Sequence, residues 1–286
     1  MGRPIGLMQG RLLPKHEGRY QAHPVGVWEE EFPSAATLGF ASIEFILDLD
    51  GAATNPLLQR SGRDRIRAVS AASGVAVNTI CADCFMQAPL RAGSGTDSDY
   101  STTRALLADL LTAAEELSCT DVVIPCVDAS ALRDEDDRAR FVAALHDALP
   151  VAESKGVNLA IECDLDPDGV ASLLEQAGSS RVTVNYDIGN SASLGYDPVE
   201  EFAAYGTRIS DVHIKDRLLG GASVPLGSGA ADFDLVLDLL DDVGYAGPMI
   251  MQAFRDDEGT RILQEQLTWF LRLLKARTTD AERDRS

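Results

Sequence analysis

The chain has 286 residues, 45% of them hydrophobic and 24% charged, the balance of an ordinary globular protein. A formal net charge of −20 argues against a nucleic-acid partner, since the 25 Lys and Arg are scattered rather than gathered into a basic patch. No apolar run approaches the roughly 18 residues of a membrane span. The first ten residues, MGRPIGLMQG, lack a signal peptide's apolar region, so a cytoplasmic location is expected.

In chain order, Ile5–Met8 is a short apolar strand followed by Gln9-Gly10-Arg11 and a polar loop. Trp28–Leu38 carries helical apolar spacing and stops at Gly39, a glycine C-cap. Ser42–Leu47 alternates as a strand, with Glu44 between Ile43 and Phe45. A helix over Arg63–Ser73 closes on Gly74, and the strand Val75–Ala82 delivers Cys81 and Asp83 to a loop. Thr102–Leu117 is a long helix and Asp121–Val127 the next strand.

The alternation continues with a helix over Asp134–Ser154, in which Pro150 predicts a kink, and a strand over Asn158–Glu162. Asp168–Gln176 is helical, Val182–Asp187 a strand, Pro198–Tyr205 a helix and Ile209–Ile214 a strand. Asp234–Asp242 is a helix closed by Gly244, Pro248–Phe254 a strand, and a last helix runs from Thr260 to about Lys275. Eight strands alternating with eight helices is the signature of a parallel α/β protein, and at this length of a single (β/α)8 TIM barrel. The barrel is expected over 1–276, with 277–286 a short charged tail. A doubly wound open sheet would want a glycine fingerprint after the first strand, where Gln-Gly-Arg stands instead.

Five cysteines, Cys81, Cys84, Cys119, Cys126 and Cys163, fall mostly within apolar strands and read as reduced, buried thiols. Cys81 and Cys84 form a C-x-x-C, but no second pair completes a zinc site.

The C-terminal ends of barrel strands face a shared cavity. In the second half of the chain those ends are Glu162 (LAIECD), Asp187 (VNYDIGN), His213 (DVHIKD) and Gln252 (MIMQAF). A polar group ending an apolar strand is costly unless paired. A divalent cation taking oxygen, oxygen and nitrogen from three consecutive strands accounts for Glu162, Asp187 and His213 together.

The order Glu, Asp, His on strands five to seven, followed by H-x-x-D-R and G-x-G-x-x-D-F segments, resembles the xylose-isomerase-like superfamily of TIM barrels. Within it the chain is most similar to tagatose and ribulose-phosphate 3-epimerases. The resemblance implies a sugar or sugar-phosphate isomerase or epimerase with Glu162, Asp187, His213 and Gln252 as metal ligands. It implies manganese before magnesium or cobalt, a small-molecule sugar substrate, and a homodimer or homotetramer. Glu162 is then also the catalytic base that removes a proton beside a ketose carbonyl. Lys215, Arg217, Arg255 and Glu44 are the expected substrate contacts, and the Gly227-Ser228-Gly229 loop is a candidate phosphate cradle.

Two departures stand out. Gln252 replaces the family's strand-eight glutamate, and glutamine cannot act as a base. Gly189-Asn190-Ser191 stands where relatives often carry a second histidine. Single-base chemistry therefore gains weight, either aldose–ketose isomerisation or a β-elimination, unless Glu44, Asp83 or Asp256 restores a second acid. The alternatives are a metal-dependent dehydratase of a keto-polyol, of inosose or dehydroshikimate type, and a non-catalytic sugar-binding barrel. An endonuclease IV-like enzyme is disfavoured by only four histidines and the acidic charge.

Overall fold

Strand β1 (Ile5–Met8) pairs in parallel with β2 (Ser42–Ile46) on one side and with β8 (Met249–Met251) on the other. Between them β3 (Ala76–Cys81), β4 (Asp121–Cys126), β5 (Asn158–Cys163), β6 (Val182–Asp187) and β7 (Ile209–Ile214) complete a closed, all-parallel, eight-stranded barrel in sequence order. This is the (β/α)8 architecture the alternation predicts. The computed structural model describes residues 3–92 and 98–283, and among these no helix is long and apolar enough to cross a membrane.

Alternation along each strand divides the apolar residues into two sets. The larger set, including Phe32, Phe45, Ile80, Leu111, Phe141, Leu159, Val212 and Phe270, fills the layer between strands and helices. A separate cluster of Met8, Ile46, Cys81, Val123, Ala160 and Ile250 comes from the opposite strand faces and packs within the barrel. All five cysteines are free thiols.

Helix α1 (Glu31–Leu38) ends on Gly39 at φ 85°, a left-handed residue that a side chain would strain. Its first turn is a separate 3-10 segment, Trp28–Glu30. Helix α2 runs over Arg60–Ser73, α3 over Cys84–Gln87 and α4 over Ser98–Leu117. Helix α5 (Glu135–Lys155) passes through Pro150 without interruption, and the proline faces solvent. Helix α6 spans Pro167–Ala177. A helix the periodicity missed, α7 (Ile188–Leu194), follows β6 directly, ahead of α8 (Pro198–Tyr205) and α9 (Phe233–Asp242).

The last helix, α10, continues from Thr260 to Arg283, so most of the expected tail is helical. Arg277 ties this extension to α9 through Asp238 at 2.5 Å and the Asp234 carbonyl at 2.9 Å. Residues 284–286 of that tail lie outside the described residues.

Candidate active site at the barrel mouth

Three consecutive strands deliver Glu162, Asp187 and His213 to one place. Asp187 and His213 are direct register partners on β6 and β7. One ligand atom from each of the three residues lies within 4.8 Å of the others, and all three side chains are buried. His213 Nδ1 is 3.7 Å from Glu162 Oε2 and 4.0 Å from Asp187 Oδ2. Two carboxylates and an imidazole at this separation form a donor set suited to a divalent cation.

Local structure explains how each group is aimed. Asp187 caps α7, its Oδ1 accepting from Asn190 N at 2.8 Å, which leaves Oδ2 directed at the site. The helix lies so close to the end of β7 that a Cβ on Gly189 would come within 2.8 Å of Lys215 Cγ and 2.9 Å of its carbonyl carbon. Glu162 is held on both oxygens, Oε1 by Asn190 Nδ2 at 2.7 Å and Oε2 by Asn185 Nδ2 at 3.4 Å. Burial pushes the Glu162 carboxyl up to about 7; the nearby His213 opposes this and the Asp187 charge adds to it.

Lys215 continues the inward-facing positions of β7, and its Nζ stands 3.0 Å from Asp187 Oδ2 and 3.0 Å from Gln252 Oε1. Gln252 follows β8 and donates from Nε2 to Gln21 Oε1 at 3.1 Å. Gln21 in turn receives Arg11 Nη2 at 2.9 Å and donates to Asp83 Oδ2 at 2.8 Å. The first loop therefore roofs the strand-eight side of the site.

Glu44 is placed differently from a substrate contact. It is fully buried on β2, and its Oε1 lies 2.8 Å from His213 Nε2, at hydrogen-bond distance. Glu44 and Asp211 also contact one another, and with His213 they form a second buried group within 4.8 Å. Burial pushes the Glu44 carboxyl up to about 7, and burial together with the Glu44 charge pushes Asp211 well up.

Arg217 donates from Nη1 to Asn190 Oδ1 at 2.8 Å and from Nε to the Gly221 carbonyl at 3.0 Å. It has no ion pair among the described residues and is half-buried beside Glu162's partner. Arg255 is instead committed to the backbone. Its nitrogens donate to the carbonyls of Gly10 at 2.9 Å, Leu13 at 2.7 Å and Asp256 at 3.2 Å. That geometry ties down the first loop and leaves little of the guanidinium for a substrate. The glycine loop is likewise occupied: the amides of Gly227, Gly229 and Ala231 all donate to the buried Asp216 carboxylate, at 2.9, 2.8 and 3.2 Å. An internal carboxylate fills the cradle considered for phosphate. The aromatics Trp28 and Phe85 are buried, with Trp28 edge-on to Phe32 and Phe45.

The family model for xylose isomerase-like TIM barrels matches residues 32–273. The chain belongs to this family. Among the relatives it resembles is L-ribulose-5-phosphate 3-epimerase UlaE of Salmonella paratyphi A, 26% identical over 82% of this chain and 88% of that protein. A xylose isomerase domain protein of Planctomyces limnophilus superposes with a TM-score of 0.73 at 18% identity, covering 96% of both chains. A xylose isomerase-like TIM barrel protein of Mycobacterium smegmatis in complex with magnesium gives 0.69 at 19% identity, covering 96% of this chain and 97% of the other.

Asn185 and the Glu44–His213 contact were not singled out by sequence reasoning. The signal for Asn185 was available, because it lies two residues before Asp187 and must face the same side of β6. The Glu44 contact had no such signal, since its partner is 169 residues away.

Proposed function

We propose that this barrel is a divalent-metal-dependent isomerase or epimerase of a ketose or ketose phosphate, working by proton abstraction beside the carbonyl. The observation that carries the reading is the convergence of Glu162, Asp187 and His213 on one point at the strand ends. Likeness to a ribulose-phosphate epimerase over 82% of the chain supports the substrate class. Glu162, Asp187 and His213 would hold the cation, with the Gln252 carbonyl beside them. Manganese is the first ion to test, with magnesium and cobalt as comparisons.

A bound divalent cation supplies Lewis-acid polarisation of the substrate carbonyl, which acidifies the neighbouring C–H. Glu162 is the base, a buried carboxylate at the mouth placed to take a proton from the substrate carbon and return it. Asn185 and Asn190 fix its orientation, and Lys215 places a positive charge beside Asp187 that favours developing negative charge at the mouth. Arg217, in no ion pair among the described residues, offers its remaining donors to a substrate hydroxyl or phosphate. Five free thiols accord with a cytoplasmic enzyme, acting as a homodimer or homotetramer.

Gln252 sets a second reading beside the first. With an amide where the family carries a carboxylate, one carboxylate must serve both proton transfers, as in aldose–ketose isomerisation, or the proton is not returned and a β-hydroxyl leaves, as in a keto-polyol dehydratase. Incubation in D2O with Mn²⁺ and a panel of ketoses and ketose phosphates, followed by NMR, separates these readings. Deuterium at a carbon beside the carbonyl of an intact sugar supports the isomerase or epimerase. An unsaturated product without sugar exchange moves the assignment to a dehydratase. Binding with neither outcome leaves a non-catalytic barrel.

A further inference from the structure

We infer that Glu44 is a positioning residue for His213: it holds the imidazole proton on Nε2 and so turns a bare Nδ1 towards Glu162 and Asp187. The inference rests on His213 being a metal ligand only for its consequence, not for its geometry. Both side chains are fully buried, and Nε2 lies 2.8 Å from Glu44 Oε1, an arrangement a carboxylate acceptor and a ring N–H complete. A neutral imidazole carries one N–H and one lone pair, and which nitrogen holds the proton is set by the partner of the other. On the other edge Nδ1 faces Glu162 Oε2 at 3.7 Å and Asp187 Oδ2 at 4.0 Å, while the Asn185 amide nitrogen lies near both ring nitrogens, 3.0 Å from Nδ1 and 3.3 Å from Nε2.

Glu44 belongs to a buried floor beneath the site. Asp211 packs against it there, one oxygen of each lying within 4.8 Å of the other and of a His213 ring nitrogen. Partners of this kind behind a ligating histidine typically alter metal affinity by about 10–100-fold. Without Glu44 the proton is free to move to Nδ1, where it blocks the lone pair.

The test uses the full chain labelled with ¹⁵N-histidine, metal-free at pH 8, in long-range ¹H–¹⁵N spectra. Only four histidines contribute, and His213 is assigned by its loss in His213→Gln. The expected pattern is Nε2-protonated His213 in the parent, kept in Glu44→Gln, whose amide oxygen still accepts, and lost in Glu44→Leu. Mn²⁺ titration by calorimetry should show Glu44→Leu weakened about 10–100-fold and Glu44→Gln within a few-fold of the parent. An Nδ1-protonated His213 in the parent overturns the inference, as does a folded Glu44→Leu with unchanged tautomer and affinity. If Glu44→Leu does not fold, the parent and Glu44→Gln spectra still decide. A parent chain that binds no Mn²⁺ but shows the Nε2 tautomer sinks the metal reading while sustaining the role of Glu44.

Discussion

The Lys215 ammonium lies 3.0 Å from the side-chain oxygen of Gln252, with Asp187 Oδ2 equally near on its other side. A positive charge therefore adjoins the amide at the end of β8, where the resemblance leads one to expect a carboxylate. Restoring a carboxylate with Gln252→Glu adds a charged oxygen ligand next to the donor set. Cation affinity should tighten by about tenfold, equivalent to roughly 1.4 kcal/mol. Calorimetric titration with Mn²⁺ is the check, and unchanged or weaker binding would argue against residue 252 as a ligand.

Glu162→Gln keeps the shape of the side chain and removes its basicity. Solvent hydrogen exchange at the substrate carbon should fall by about 10²–10⁴-fold. The thermal midpoint should hold or rise, because a buried carboxylate raised to about 7 is replaced by a neutral amide. Parent exchange rates in the variant would remove Glu162 from the role of base.

Arg255→Ala should act on stability rather than on substrate affinity. Three nitrogens donate to the carbonyls of Gly10, Leu13 and Asp256, and truncation leaves buried acceptors unpaired at a cost of about 2–4 kcal/mol. Denaturant unfolding measures this directly. A variant of parent stability with a raised KM would instead place Arg255 on the substrate.

His23 predicts an acid-side loss of stability. Its Nδ1 meets Gln9 Oε1 at 3.0 Å and its ring packs on Phe45 at 5.3 Å between centroids. Burial lowers its folded-state value to about 4, against an ordinary 6.5. The unfolded chain therefore binds the extra proton between those limits, and stability falls as pH drops from 6.5 towards 4, by roughly 3 kcal/mol in all. His23→Phe should flatten this part of the stability–pH profile, as measured by denaturant unfolding across pH 4 to 6.5. An unaltered slope would mean that His23 titrates normally in the folded chain.

The sequence by itself determined the barrel and the three donors. Period-two apolar strands separated by helices with glycine stops are local patterns, and they locate the strand ends where Glu162, Asp187 and His213 stand. Strand bounds were accordingly close, while α7 was missed because seven residues carry too little periodicity and its cap, Asp187, was already assigned to the site. The tertiary structure alone decided what the neighbouring polar groups do. Glu44 meets His213 across the barrel, Arg255 closes on the first loop, and Asp216 takes the amides that a phosphate was expected to use. Those choices depend on which distant donors and acceptors pair once water is excluded, and a requirement for pairing does not name the partner.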